Sequence, residues 1–356
     1  MIPEFSRITV KVGSNVITQS DGSLNNTRML RIVEEIAVLS KQGFEVILIS
    51  SGAVAAGRGD AALSKRTSLI SSKQIWAAIG QVKLMSKYQF LFGKYGIQAG
   101  QLLASKESFR DRQHYLNMKN CISAMLENRV LPIVNENDTV SIIELMFTDN
   151  DELSGMISSM MDCSTLIILT NVDGIYAGVP GEQGSELIKE INDSSVNIEK
   201  YIMGTRSGTK FSIARQIASE GINVYIANGN SDSVITDIIS GKDIPCTRFV
   251  ASQRKSKSIK KWLSHSDDFS RGAVYINNGA CEALLGDRAV SLLMIGVNKI
   301  EGYFRKGDII RIMDEEGKQV GLGKSQYDSE KAIQLLGEKR TKPLVLYDYL
   351  FIIEKN

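Results

Sequence analysis

VILISSGAV (residues 46–54) and ITVKVGS (residues 8–14) are built alike. Each is a short run rich in β-branched residues that stops at a small polar and glycine corner, Ser50-Ser51-Gly52 in one and Gly13-Ser14 in the other. Runs of this length suit strands buried on both faces, the kind found in parallel sheets covered by helices. Comparable runs recur at 97–103, 130–134, 166–170 and 223–227. Between them lie segments of helical period at 28–42, 72–92, 114–128, 151–162, 210–220 and 232–239. Leu30, Val33, Ile36 and Ala37 share one face of the first, and the second is expected to begin at Ser71-Ser72 with Gln74 placed for a capping box. The alternation predicts an α/β domain, a mainly parallel sheet sandwiched by helices.

Near residue 240 the texture changes. Arg254, Lys255, Lys257, Lys260 and Lys261 gather before Trp262-Leu263. Short β-type runs then return at 273–276, 308–313, 319–323 and 344–353 without long helices between them. The expected organisation is a first domain over 1–262, a linker over 263–270 and a small β-barrel over 271–356.

Bulk properties exclude several classes. Lys+Arg number 42 against 40 Asp+Glu, a balance unlike that of a dedicated polyanion binder. Cys121, Cys163, Cys246 and Cys281 lie far apart with no CxxC pair, which argues against a disulfide framework or a zinc site and for a reducing, cytoplasmic setting. No apolar run approaches the roughly 20 residues of a membrane helix. Only His114 and His265 are available for histidine chemistry. No metal cage of protein ligands is expected.

Two familiar nucleotide signatures fail. Gly323-Lys324-Ser325 lacks the earlier glycine of a P-loop, since position 318 is Lys318, and it lies between β runs where a P-loop would open a helix. Gly57-x-Gly59-x-x-Ala62 is too short a match for a dinucleotide fingerprint and comes after the residues that would open the helix. The informative positions are the carboxyl ends of the strands, where open α/β sheets bind ligands. Lys11 sits inside an apolar strand, either as an edge-strand lysine or facing a ligand or partner. Asn135-Glu136-Asn137-Asp138 closes the fourth run, and Thr148-Asp149-Asn150-Asp151-Glu152 opens a helix, as a plain capping box or as one wall of a polar pocket that holds an ammonium group and organises lysines. Lys210 opens another helix against its macrodipole, a conflict that a bound anion would remove.

In this order and spacing, VKVGSNVIT, ILISSGAVAAGR, IVNENDTV, FTDNDELS, ILTNVDGIY and the Thr-Lys of GTRSGTK resemble the glutamate 5-kinase family, a branch of the amino-acid kinases. RGAVYINNGACEAL, SLLMIGV, GYFRKGDIIRI and GLGKSQYDSEK resemble the PUA domain that ends many of its bacterial members. The resemblance implies ATP-dependent phosphorylation of the γ-carboxylate of L-glutamate, the first step toward proline, with Mg2+ arriving on ATP. It implies Lys11 and Lys210 as the groups that stabilise the transferring phosphoryl, and Asp151 as the residue that holds both. It assigns Ser51, Asp138 and Asn150 to glutamate. Gly13, Ser14 and Gly52 go to the phosphate region, and Thr170, Asn171, Gly204, Thr205, Arg206, Ser207, Gly208 and Thr209 to the nucleotide. L-proline as inhibitor, a homo-oligomer and transient contact with glutamyl phosphate reductase are further implications.

The chain departs from the family pattern twice. The usual Gly-Gly-Met before Thr-Lys is absent, and Thr170-Asn171 stands where Thr-Asp is frequent. Two other readings remain at this point. One is a sibling kinase of aspartate or N-acetylglutamate, although aspartate kinases usually begin with Lys-Phe-Gly-Gly and carry ACT domains. The other is RNA binding through the PUA-like domain and the basic cluster.

Overall fold

The computed structural model describes residues 7–19, 21–58, 67–110, 112–140, 150–178, 184–192, 207–252, 270–286 and 290–353. The chain forms two compact units, Met1–Lys255 and Ser256–Asn356. The basic cluster 254–261 and the linker expected at 263–270 lie outside the described residues, apart from Ser270.

The first unit begins β1 (Arg7–Val12), α1 (Ser14–Ile17), α2 (Asn26–Lys41), β2 (Glu45–Ser50), α3 (Ala53–Arg58), α4 (Leu69–Gly93) and β3 (Gln98–Ala104). It continues α5 (Lys106–Arg110), α6 (Arg112–Glu127), β4 (Val130–Glu136), α7 (Asn150–Met160), β5 (Thr165–Thr170) and the two-residue strands β6 (Tyr176–Ala177), β7 (Glu186–Leu187) and β8 (Glu190–Ile191). It ends α8 (Ser207–Ser219), β9 (Asn223–Asn228), α9 (Val234–Ser240) and β10 (Cys246–Phe249). One sheet runs β3-β4-β2-β1-β5-β9-β10-β8. It is parallel from β3 through β9, and β10 joins β9 antiparallel. All six expected strands are present. The expected start of α4 moves: its N-cap is Ser68, whose hydroxyl accepts from the Ser71 N–H at 3.1 Å.

Side chains alternate across each strand. Val10, Leu48, Ile133 and Ile167 join a core with Ile32 and Ile36 of α2 and Tyr88 and Phe92 of α4. On the opposite face, Leu166, Ile168, Val224 and Ile226 pack with Ala214 and Ile217 of α8. Helix α7 is buried nearly all round.

Two contacts fix helices near the carboxyl ends of the strands. α3 and α4 cross at Gly57 and Gly80: a Cβ at Gly80 would lie 1.8 Å from the Ala53 carbonyl oxygen, and one at Gly57 would lie 2.0 Å from that of Trp76. Gly57, weighed above as part of a dinucleotide fingerprint, is a packing glycine. At α9 the buried Glu35 carboxylate accepts from the N–H groups of Ile235 at 2.7 Å and Thr236 at 3.0 Å. Burial pushes this carboxyl above its ordinary value, and the hydrogen bonds offset only part of that rise.

The second unit holds β11 (Gly272–Ile276), α10 (Asn278–Leu285), β12 (Val297–Gly302), β13 (Ile309–Met313), β14 (Gln319–Ser325), α11 (Ser329–Gln334) and β15 (Val345–Ile352). Its sheet runs β12-β11-β13-β14-β15, parallel only between β11 and β13. Val274, Ile310, Ile312, Phe304 and Leu344 form its core. Gly323-Lys324-Ser325 ends strand β14, so it opens no helix. Helix α10, which the sequence reading did not anticipate, is capped by the Asn277 side chain accepting from the Ala280 N–H at 2.8 Å.

Gly80→Ala should cost about 3 kcal/mol in denaturant unfolding, because the new methyl meets backbone that cannot rotate away. Parent-like stability would show slack between α3 and α4.

Candidate active site

Lys11 is no edge-strand lysine. β1 lies inside the sheet, bonded to β2 on one side and β5 on the other. The alternation that sends Val10 and Val12 into one core sends Lys11 to the opposite face, where its ammonium meets Asp151. Lys11 Nζ stands 2.5 Å from Asp151 Oδ1, and Lys210 Nζ bonds Asp151 Oδ2. Asp151 has no solvent exposure and Lys11 has 2%. Two ammonium groups converge on one carboxylate in a dry site, a concentration of positive charge fit to receive an anion. Lys210, in the first turn of α8, opposes that helix's dipole. Asp151 offsets part of the conflict. The neighbouring Glu152 pairs with Lys106 at 3.1 Å.

Beside this cluster runs a buried chain of amides. Asn135 donates through Nδ2 to Gln81 Oε1 at 2.8 Å. Asn135 Oδ1 accepts from the Glu136 N–H at 2.8 Å and from Asn150 Nδ2 at 3.0 Å. Asn150 Nδ2 also donates to Ser51 Oγ at 2.8 Å. Asn150 Oδ1 is buried and has no hydrogen-bond partner among the described residues. An oxygen so placed is an acceptor kept for a donor, and an ammonium group is one that fits.

The expected residues divide accordingly. Lys11, Asp151 and Lys210 come together, as do Ser51 and Asn150. Gly52 adopts φ +99°, a conformation that favours glycine, at the corner after Ser51. The Gly13 N–H donates to the Leu169 carbonyl at 3.1 Å. A Cβ on Gly13 would crowd the Leu169 carbonyl oxygen at 3.2 Å and lie in ordinary contact with Lys11 Nζ at 3.7 Å. Ser14 opens the one-turn helix α1, and its carbonyl accepts from the Thr18 N–H at 2.9 Å. Asp138 is half-buried, and burial raises its carboxyl above the ordinary value against the pull of Lys73. The turn that carries Asp138 is tied to α4 by Gln74 Nε2 on the Thr139 carbonyl at 3.2 Å.

On the expected nucleotide side, the Thr170 hydroxyl is engaged in its own turn, donating to the Val172 carbonyl at 2.8 Å. Asn171 is exposed. Gly204, Thr205 and Arg206 lie outside the described residues, and so do Thr148 and Asp149. Ser207, Gly208 and Thr209 are described only as backbone at the start of α8. Among the described residues no three His, Cys, Asp or Glu side chains stand together as metal ligands. Asp151, the buried carboxylate of the site, is taken by lysines.

Sequence reading missed Gln81 and left Asn135 within a polar run. A glutamine inside a predicted helix is ordinarily a solvated residue, and its burial at 9% exposure emerges only when β4 is laid against α4.

Residues 6–228 match the amino acid kinase family, and residues 272–343 match the PUA domain. The chain is 50% identical to a glutamate 5-kinase of Bacteroides thetaiotaomicron over 99% of this chain and 100% of that protein. A glutamate 5-kinase of Chlorobaculum tepidum is 44% identical over 99% of this chain and 98% of its own length. Among solved structures, a carbamate kinase from Giardia lamblia bound to AMP-PNP is similar in fold, with TM-score 0.53 and 17% identity over 70% of this chain and 99% of that one.

Asp151→Asn should destabilise the first unit by about 3–5 kcal/mol in urea unfolding, since it leaves two ammonium groups facing each other in a dry site. Lys11→Met should cost less, because Asp151 keeps Lys210. The reverse order would show that the cluster is solvated.

Proposed function

The chain belongs to the amino acid kinase family, in its glutamate 5-kinase branch, and from that premise we propose that it transfers the γ-phosphoryl of ATP to the side-chain carboxylate of L-glutamate. The observation that carries this reading is the buried Lys11–Asp151–Lys210 cluster beside the Asn150–Ser51 pair. A carboxylate is already an anion near neutral pH, so its attack on phosphorus needs no general base. Phosphoryl transfer needs alignment and charge stabilisation instead. Lys11 and Lys210 supply positive charge to the transferring group and its oxygens. Asp151 keeps the two ammonium groups at fixed separation, so neither has to be reorganised during transfer. Magnesium supplies further charge neutralisation when bound with ATP. Asn150 Oδ1 and the Asp138 carboxylate offer acceptors to the α-ammonium of glutamate. The fifth strand's end at Thr170-Asn171 and the segment 204–209 are assigned to the nucleotide by family resemblance.

The product is a mixed anhydride prone to hydrolysis, which favours prompt hand-over to glutamyl phosphate reductase and a place early in proline synthesis.

The test is turnover of ATP with glutamate, aspartate and N-acetylglutamate, the acyl phosphate being trapped with hydroxylamine. Hydroxamate should form with glutamate, and Lys11→Ala or Lys210→Ala should lower kcat by roughly 100-fold or more. Preference for another carboxylate, or near-normal turnover in either folded variant, overturns the assignment.

Feedback by proline belongs to the same reading. Proline shares the α-carboxylate and cationic α-nitrogen of glutamate but lacks the nucleophilic carboxylate. A pocket that grips the amino-acid end accepts both. Proline should then compete with glutamate and not with ATP, and Asp138→Asn should raise the glutamate KM and the proline concentration for half-inhibition together. Unchanged proline binding by calorimetry in that variant would place proline elsewhere.

A further inference from the structure

We infer that Gln81, on α4 and one residue removed from the acceptor pocket, is a positioning residue that sets which atom Asn150 presents to the amino-acid substrate. The inference rests on the function proposed above and concerns a residue outside its substrate and phosphate contacts.

The argument follows the polarity of the amide chain. A side-chain amide has one acceptor end and one donor end, and exchanging them reverses every partner down the line. Gln81 Oε1 accepts from Asn135 Nδ2 at 2.8 Å, which assigns the donor end of Asn135 to α4. The acceptor end of Asn135 then faces the Glu136 N–H and Asn150 Nδ2. Because Asn150 spends its donor end on Asn135 and on Ser51 Oγ, its oxygen is the atom left over. That oxygen is buried and unpartnered among the described residues. Gln81 and Asn135 are themselves buried, at 9% and 2% exposure, so water cannot readily replace either partner.

Without an acceptor at position 81, Asn135 Nδ2 becomes a buried donor with nothing to bond. Rotating the Asn135 amide relieves that fault only by turning a donor toward Asn150 Nδ2 and the Glu136 N–H. Either outcome loosens Asn150 and mixes donor and acceptor in the pocket. An ammonium group is served by the acceptor alone. The loss therefore falls on binding of the amino acid and spares the phosphoryl-transfer cluster, whose lysines are held by Asp151.

Gln81 also occupies the turn of α4 next to Gly80, where α3 and α4 cross at van der Waals limits. The crossing holds the Gln81 backbone in place, and the bond from Asn135 Nδ2 holds its oxygen.

The test is steady-state kinetics of the full chain. Gln81→Met, of similar volume but without the acceptor, should raise the glutamate KM about 10-fold while kcat and the ATP KM stay within about twofold. Gln81→Glu restores an acceptor oxygen opposite Asn135 and should return the glutamate KM to within about threefold of the parent. Gln81→Ala, read in the same way, serves if Gln81→Met does not fold. An unmoved glutamate KM in Gln81→Met or Gln81→Ala overturns the inference. So does a fall in kcat with a parallel rise in both KM values, or a Gln81→Glu no better than Gln81→Met. A parent that phosphorylates no glutamate overturns the proposed function and this inference with it, whereas an active parent with an unmoved variant overturns the positioning role alone.

Discussion

A carboxylate shut away from water has to be matched by positive charge, and Asp151 is matched twice. Its two oxygens draw together a lysine from the middle of a central strand and a lysine from the first turn of a helix nearly 60 positions further on. Much of the first unit serves that meeting. β1 has to be an interior strand for Lys11 to be buried, α7 has to start at Asn150 for Asp151 to face the sheet, and α8 has to pack on α7 for Lys210 to reach. The approach of α8 is permitted by Gly155, where a Cβ would press on Ile213 and Ile217 of α8. Apolar packing on this face and charge pairing at its end thus support each other.

The two halves of the site are stabilised by different physics. The lysine cluster is held by charge in a dry setting, with two ammonium groups on one carboxylate. The Gln81–Asn135–Asn150–Ser51 chain is neutral and directional, and carries one unused acceptor. A substrate that brings an anionic end and a cationic end answers both, each end finding the half it suits.

How legible was this beforehand? The six long strands were, because buried parallel strands write themselves as compact apolar runs whatever their neighbours. Lys11 and Lys210 were legible as anomalies, residues in places that cost free energy unless something compensates. Whether Lys11 sat at an edge was not, since strand order is a property of crossovers and leaves no local trace. Gln81 was hidden for a similar reason: nothing in AAIGQVK distinguishes a buried glutamine from a solvated one until the facing strand is known. Gly57 and Gly80 mislead in another way, because a glycine required by helix contact and one required by a phosphate look identical in sequence. Of the nucleotide loop, only the Thr-Lys ending was readable, and the departure from Gly-Gly-Met removes the pattern that would have described the rest.

Glu35 adds a constraint of a different sort. Helix N-termini attract phosphates, and α9 follows directly on strand β9 of the same sheet. Left without an acceptor, its first N–H groups would be buried and unsatisfied. The carboxylate of Glu35 occupies the Ile235 and Thr236 N–H groups from within the protein. The fold thereby satisfies these two groups from within, and this terminus is closed to an outside anion.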